Sequence, residues 1–474
     1  MYSLPVKVTR IPLSILVLAL THTVAAASTK YLAFDSRIIA ETENARIVLG
    51  EVKKHETNPL FGEDKTWEPR FDNLYANVLY DETANLYKCW YSPFLIDERT
   101  TSVPVEKHSS VTYIKVLPNG REMGVCYAES EDGIHWRKPN LGIVDFNNSE
   151  ENNIVFRGPH GAGVFRDSHE TDPSKRYKMV FKDEDKKSMG VAFSPDGLHW
   201  SDGVLRPEID AAGDTHNNAL WNPDLNRYVL FTRLWSRNPP MRIVGRSESQ
   251  DFLKWSKATE VLRGLEPHLH LYAMPVFRCG GVYIGFPAIF NSETDRTHTE
   301  LAWSPDTVTW HRICPGTPFI PNTPEEGAYD WGCVYAAAYP VFLDEEIRLY
   351  YGGSDGPHTS WRKGYLCLAT LRPDGFAGFS QISADEPAVV TTKPFASPVS
   401  AVSIAADMEA GGHVEVEAID ESGKTVVQGH PMTEPTTDGD VLWKGGGHPF
   451  PFPEGRRLRF RLTAATLYSF TLGD

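Results

Sequence analysis

The chain has 474 residues, 41% of them hydrophobic and 23% charged, without a low-complexity block. That composition excludes a mainly disordered protein, and the length is enough for two or more folded units. The formal charge is −15 and no basic cluster offsets it, which excludes nucleic acid as a partner and favours a neutral or locally recruited substrate.

The first predicted element is an export signal over residues 1–27. Lys7 and Arg10 flank the start of the apolar stretch IPLSILVLAL, and AAAS at 25–28 offers a small-residue cleavage site after Ala27. The apolar stretch is short for a membrane anchor and no later segment approaches 18 apolar residues. The expectation is a secreted or periplasmic protein with no membrane attachment after cleavage. The six cysteines, Cys89, Cys126, Cys279, Cys314, Cys333 and Cys367, show neither a CxxC pair nor a His-bearing zinc spacing. They read as buried thiols, with pairing of two of them left open in an exported protein.

Next comes a unit repeated five times: an apolar strand, a tight turn and a second, aromatic-rich strand. The copies are NLYANVLYDETANLYKCWYSPF, GAGVFRDSHETDPSKRYKMVFKD, HNNALWNPDLNRYVLFTRLW, LYAMPVFRCGGVYIGFPAIF and VYAAAYPVFLDEEIRLYYGGSD. A third strand follows each, from GVCYAES in the first copy to GYLCLATLRPDGF in the last. Runs of Val, Tyr, Phe and Ile bounded by Asp, Gly and Pro are strand signals, and no long 3.6-residue period competes with them. A single four-stranded sheet cannot bury its own faces, so five copies predict a five-bladed β-propeller over residues 28–377.

Four copies carry a Ser-x-Asp turn followed by Trp: SEDGIHW at 130–136, SPDGLHW at 194–200, SQDFLKW at 249–255 and SPDTVTW at 304–310. Ser and Asp can bond backbone within the turn, Gly permits positive φ, and Trp136, Trp200 and Trp310 are expected to wedge between blades. These heptads therefore read as scaffold. From residue 378 the pattern changes. HVEVEAIDESGKTVVQG reads as a hairpin and RLRFRLTAATLYSFTLGD as two further strands, so residues 378–474 are predicted to form a separate β-sandwich.

The blade order, the DGxHW turns and the appended sandwich resemble the glycoside hydrolase clan containing families 32 and 43, closest in layout to family 32-like proteins. The resemblance spans nearly the whole mature chain. It implies an exported glycoside hydrolase acting on the terminal residue of an oligosaccharide or polysaccharide by carboxylate chemistry. Where family 32 has a Trp-Met-Asn-Asp-Pro-type motif, this chain has WEPRFDN at 67–73, and the family's Glu-Cys motif has no counterpart. Arg166-Asp167 matches the family's Arg-Asp-Pro motif superficially. Alignment of the repeats places Asp167 after its strand, with Asp81 and Asp344, so it reads as a turn residue.

In a propeller, residues leading into the inner strands converge on one pocket, and glycoside hydrolysis needs two carboxyl groups across the scissile bond. Blade one offers Asp72 with Asn73, blade three Asp214 with His216 and Asn217, and blade five Asp330 with Trp331. The resemblance implies that Asp72 is base or nucleophile. Asp214 is expected to be the acid, with a raised pKa, or the residue tuning that acid, and Glu300 is the alternative acid. Blade two offers Arg157 and His160, and blade four Glu266, His268 and His270.

Loops between second and third strands open on the same face, bringing Asp355, His358 and Trp361. The predicted catalytic set is Asp72, Asp214 and Glu300. The predicted sugar-binding set is Asn73, His160, His216, Asn217, Asp330, Trp331, Asp355 and Trp361. His216, His268 and Asp214 could together ligate a metal, but no ligand spacing on one element demands it, so neither metal nor cofactor is expected. The insertion at 94–123 is either part of the pocket rim or a plain mobile loop. The alternative function is a non-catalytic carbohydrate-binding propeller, and a lyase, a phosphorylase or a metal-dependent enzyme stays open beside it.

Overall fold

The computed structural model describes residues 28–445 and 451–473, so the export signal read at 1–27 lies outside the described residues. Among these, antiparallel sheets of about four strands succeed one another along the chain. Blade one is Asn77–Asp81, Leu86–Tyr91, Arg121–Ser130 and Ile154–Arg157. Blade two is Pro159–Arg166, Tyr177–Asp183, Ser188–Ser194 and Val204–Leu205. Blade three is Asn218–Asn222, Arg227–Arg237, Pro240–Ser249 and Thr259–Leu262.

Blade four is split. Its inner strand breaks into Leu269–Ala273 and Val276–Cys279, its second into Val282–Gly285 and Ala288–Asn291, and its third into Arg296–Thr299 and Leu301–Ser304. Pro275 and Pro287 stand at two of these breaks, where a missing N–H interrupts the ladder. Blade five has Cys333–Ala336 inside, then Ile347–Ser354 and Gly364–Leu371. Its outer edge is supplied by the N-terminal segment, since Lys53–Lys54 and Phe61–Gly62 both pair with Gly364–Leu371.

Side-chain amides and backbone groups stitch the inner strands into a ring. Asn77 Nδ2 donates to Ala162 O at 2.9 Å while its Oδ1 accepts from Val164 N at 3.0 Å. Asn218 Oδ1 repeats the second bond one step on, accepting from Val276 N at 3.0 Å. Asn217 N donates to Gly161 O at 2.9 Å, and Ala338 N of blade five returns to Ala76 O of blade one at 2.9 Å. Gly161 is required here. Its φ is +60° and a Cβ would lie 1.6 Å from Thr215 O.

The Ser-x-Asp turns share one geometry. In the first, Gly133 N donates to Ser130 Oγ, while Ile134 N and His135 N both donate to Asp132 Oδ1, all at 2.8 Å. The residue after the Asp has positive φ in all four: Gly133, Gly197, Phe252 and Thr307. The last two show that the turn is kept even without glycine. Each turn docks on the preceding blade. Tyr350 of blade five donates to Gly133 O at 2.9 Å, and Trp90 of blade one donates to Gly197 O at 2.6 Å. Phe252 packs on Phe165 of blade two, and Arg246 of blade three donates to Thr307 Oγ1 at 3.0 Å. Trp136 packs on Phe61 and Tyr350, and Trp310 on Phe231, so these rings lie between sheets.

Both ends of the described chain meet in one nine-stranded sheet. Thr29–Leu32 pairs with Arg457–Gly473, Ile39–Glu43 with Ala388–Thr392, and Ala45–Leu49 with Ala377–Gln381. Residues 29–49, grouped with the propeller by sequence, are thus held by the C-terminal sheet; a strand pattern does not say which distant strand will pair with it. Ala401–Ile419 and Arg457–Gly473 run antiparallel over most of their length. Their inward faces bury Val402, Ile404, Val414, Phe460 and Leu462, with Trp443 set against them.

Candidate active site

A cavity of about 540 Å³ opens where the residues leading into the inner strands meet the loops between second and third strands. Asp72, His160 and Asp214 line it from blades one, two and three. The 94–123 insertion forms a wall through Phe94, Arg99, Tyr113, Asn119 and Arg121, which makes it rim. Buried Asp97 anchors that wall, accepting from Tyr113 Oη at 2.8 Å and Thr100 Oγ1 at 2.6 Å.

Asp72 follows the short strand Arg70–Phe71. Leu74 and Tyr75 then adopt left-handed backbone, φ 63° and 47°, turning the chain sharply before the inner strand begins. Such strain in bulky residues is costly and persists only where packing holds it, as at functional sites. Arg362, fully buried beneath the cavity, donates to Asp72 Oδ1 at 2.9 Å and to Asn73 Oδ1 at 3.0 Å. Although burial opposes the charged form, Arg362, and behind it Arg70 and Arg121, pull the Asp72 pKa below its ordinary value.

Asp214 departs from expectation. Its Oδ2 accepts from buried Arg233 at 2.9 Å and its Oδ1 lies 2.9 Å from His160 Nε2. Burial again works the other way, but these cations hold the Asp214 carboxyl far below the usual range, so it is ionised and does not retain a proton near neutrality. His160 carries the proton instead. Its Nδ1 faces Glu184 Oε1 at 2.9 Å, and the two carboxylates outweigh the burial penalty and raise the imidazole to about 9.

His160, Glu184 and Asp214 offer three potential metal donors within 4.8 Å of one another. Each ring nitrogen already faces one carboxylate, so the imidazole occupies the space between them where an ion would sit. This arrangement suits an imidazolium better than a metal centre. The set read from sequence is not assembled either, because buried His216 turns its Nε2 to Asn77 Oδ1 at 3.0 Å and burial drives its pKa down to about 3.

His358, brought by the blade-five loop, reaches the cavity lining, whereas the other predicted residues lie off it. The third strand of blade four begins at Arg296, so Glu300 falls at the break in that blade rather than in a loop. There it is buried and takes Arg312 Nε at 3.0 Å, Arg312 Nη2 and Gly316 N at 3.0 Å. Asp330 is buried against Tyr351 Oη at 2.8 Å and Lys54 Nζ at 2.6 Å, the lysine arriving with the ring-closing segment. Trp331 is covered by the Arg296 guanidinium, 4.5 Å from its ring centre. Asn73 and Asn217 spend their amides on Tyr75 Oη and on backbone carbonyls. Asp355 accepts from Lys363 N at 2.7 Å. Trp361 touches no cavity surface but donates to Val111 O at 2.6 Å and stacks on His108 at 3.7 Å, pinning the insertion.

Sequence reading missed Arg70, Glu184, Arg233 and Arg242. Glu184 lies in the loop between second and third strands of blade two, the loop class singled out in blade five, so the same rule applied there finds it. The arginines sit mid-strand or at strand starts and carry no comparable signal.

No protein-family model matches the chain, and no curated protein matches it in sequence. Among solved structures it is similar to an N-acetylgalactosamine deacetylase from F. plautii in complex with blood group B trisaccharide: 14% identity, 69% of this chain and 96% of the other, TM-score 0.47. It is also similar to a structure from the GH130 family of mannoside phosphorylases, described as containing glycoside hydrolases that target β-1,2-mannosidic linkages in Candida mannan (13% identity, 69% and 95% coverage, TM-score 0.46). A glycosyl hydrolase from Bacteroides ovatus compares at 13% identity, 69% and 95% coverage, and TM-score 0.45. At these scores the functional assignment rests on the site.

Proposed function

We propose that the protein is a carbohydrate-active hydrolase, with Asp72 as base or nucleophile and the Asp214–His160 pair as proton donor. One observation carries this reading: two carboxylates from different blades share one cavity, each bound from beneath by a buried arginine. Asp72, kept ionised by Arg362, is suited to attack the anomeric carbon directly or to activate the attacking water. As the glycosidic C–O bond breaks, the leaving oxygen takes the proton carried by His160, whose charged form Asp214 and Glu184 stabilise.

A second cavity of about 700 Å³ lies between blades one and two and shares Arg121, Met123, Glu184 and Asp185 with the first. It supplies room for sugar units beyond the cleaved one, in keeping with action at a chain end. Export after cleavage at Ala27 and a sandwich arrangement of the nine-stranded sheet complete the proposal. The test is a glycan screen with residues 28–474 and with Asp72→Asn. Turnover should fall about 10²–10⁴-fold in the variant, which should still melt cooperatively but at a lower midpoint because buried Arg362 loses its ion-pair partner. Parent-rate turnover by Asp72→Asn overturns the assignment. Binding without any turnover supports the carbohydrate-binding alternative.

A further inference from the structure

The charges around the cavity do not balance one another. Glu184 is taken by Lys182 at 3.1 Å, Lys187 at 2.9 Å and His160. Asp214 and Asp72 are taken by Arg233 and Arg362 from below, and Asp97 by Arg121 at 3.3 Å. Arg70, Arg99 and Arg242, all on the cavity wall, form no ion pair with a carboxylate among the described residues, against a single wall acid, Asp185, that is likewise outside any ion pair. In a chain of net charge −15, three unpaired guanidinium groups at one cavity are a local concentration of the minority charge.

Arg70 is the most telling of the three. It is 2% exposed, its Nη2 donates to Ser360 O at 3.1 Å, and its guanidinium lies 4.0 Å from the Tyr113 ring centre. Its buried Nε has no hydrogen-bond partner. Asp72 and Asp97 act on Arg70 only at longer range, so this buried cation lacks the direct ion pair that an arriving anion would supply. Arg242 is held in the same manner, by His270 Nδ1 at 3.1 Å and by the faces of Tyr272 and Phe290. Burial lowers the pKa of both groups, helped by Arg362 for Arg70 and by Arg233 for Arg242, while Tyr113, Asp72 and Asp97 oppose it at Arg70 and Tyr272 and Asp214 oppose it at Arg242.

We propose that the sugar accepted here carries an oxyanion, a uronate carboxylate or a sulfate ester, that docks on Arg70. The inference rests on the glycan reading of the cavity and names its substrate class. A planar guanidinium with free N–H groups matches the two-oxygen edge of either anion, whereas a neutral hydroxyl would leave the charge uncompensated.

The test is calorimetric titration of the wild-type protein with glucuronate, galacturonate, mannuronate and N-acetylglucosamine 6-sulfate. Each is set against its uncharged counterpart, with inorganic phosphate as a separate probe. At least one charged sugar should bind about tenfold or more tightly than its neutral partner, as expected of a charged hydrogen bond made in a dry site. Arg70→Met should erase that preference and Arg70→Lys restore part of it. Arg242→Met, at a less buried position, serves as the second variant should Arg70→Met fail to fold. Equal or weaker binding of every charged sugar overturns the inference, as does Arg70-dependent binding of phosphate alone, which would make this a site for a free oxyanion. Charged sugars that bind through Arg70 but belong to no cleaved glycan leave the anion site standing and defeat the hydrolase reading. Cleavage of neutral glycans through Asp72, with no preference for charge, does the reverse.

Discussion

His160 stands between Glu184 and Asp214, 2.9 Å from each. The sign of the pH dependence follows from the directions of the shifts. His160 is raised from 6.5 to about 9, so its stabilising contribution is complete below 6.5 and is lost as the pH rises through about 9. The two carboxylates are lowered, so theirs is present above the ordinary carboxylate range and is lost only in strong acid. The melting temperature should therefore decline between pH 6.5 and 9 by more in wild type than in His160→Gln. Parallel melting profiles for the two proteins would show that the imidazole is not charged in the fold. At this scale the sequence showed which residues lead into inner strands, because strand and turn signals are local. It did not show the proton's location, because Arg233 and Glu184 come from other segments.

Among the elements, the Ser-x-Asp turn is a clamp between blades. Its Asp satisfies two backbone N–H groups, and the carbonyl of the following residue meets a side chain of the preceding blade in the first two copies. Trp90 is fully buried and donates to Gly197 O, so Trp90→Ala should cost about 3–5 kcal/mol in denaturant unfolding. Asp132→Ala, which removes only the capping oxygen, should cost about 0.5–2 kcal/mol, by analogy with lost helix caps. A larger loss from Asp132→Ala than from Trp90→Ala would refute this ranking. The 94–123 insertion depends on Trp361 and Asp97 for its position. Trp361→Ala should raise KM and expose the insertion to proteolysis while the melting curve stays near that of wild type. An unchanged digestion pattern would show that Trp361 does not hold this wall.

At the scale of the molecule, the N-terminal 35 described residues do two jobs. Lys53–Lys54 and Phe61–Gly62 complete blade five, while Thr29–Leu32, Ile39–Glu43 and Ala45–Leu49 join the C-terminal sheet. Lys54 also neutralises buried Asp330 at 2.6 Å. A chain beginning at residue 63 would leave a sheet edge open, two cores partly bare and a buried carboxylate unpaired. It should yield no cooperatively folded protein by circular dichroism, whereas a chain beginning at residue 28 should melt in one transition per unit. A cooperative, parent-like melt from the shorter chain would mean that this closure is dispensable.

Strand pairs, turn heptads and the convergence of Asp72 and Asp214 were legible in the sequence, because alternation, turn chemistry and repeat period are properties of neighbouring residues. The place of Trp136 and Trp310 between sheets followed from the same local reasoning. Three matters were decided only by tertiary structure. The pairing partners of residues 29–62 lie hundreds of residues away, and period-two patterning is silent about them. Glu300 and Asp330 look like Asp72 and Asp214 in sequence, yet Arg312 and Lys54 draw them out of the cavity into structural ion pairs. The positive character of the cavity is likewise invisible in a net charge of −15, because it arises from which acids the fold has already neutralised and which arginines it has left without one.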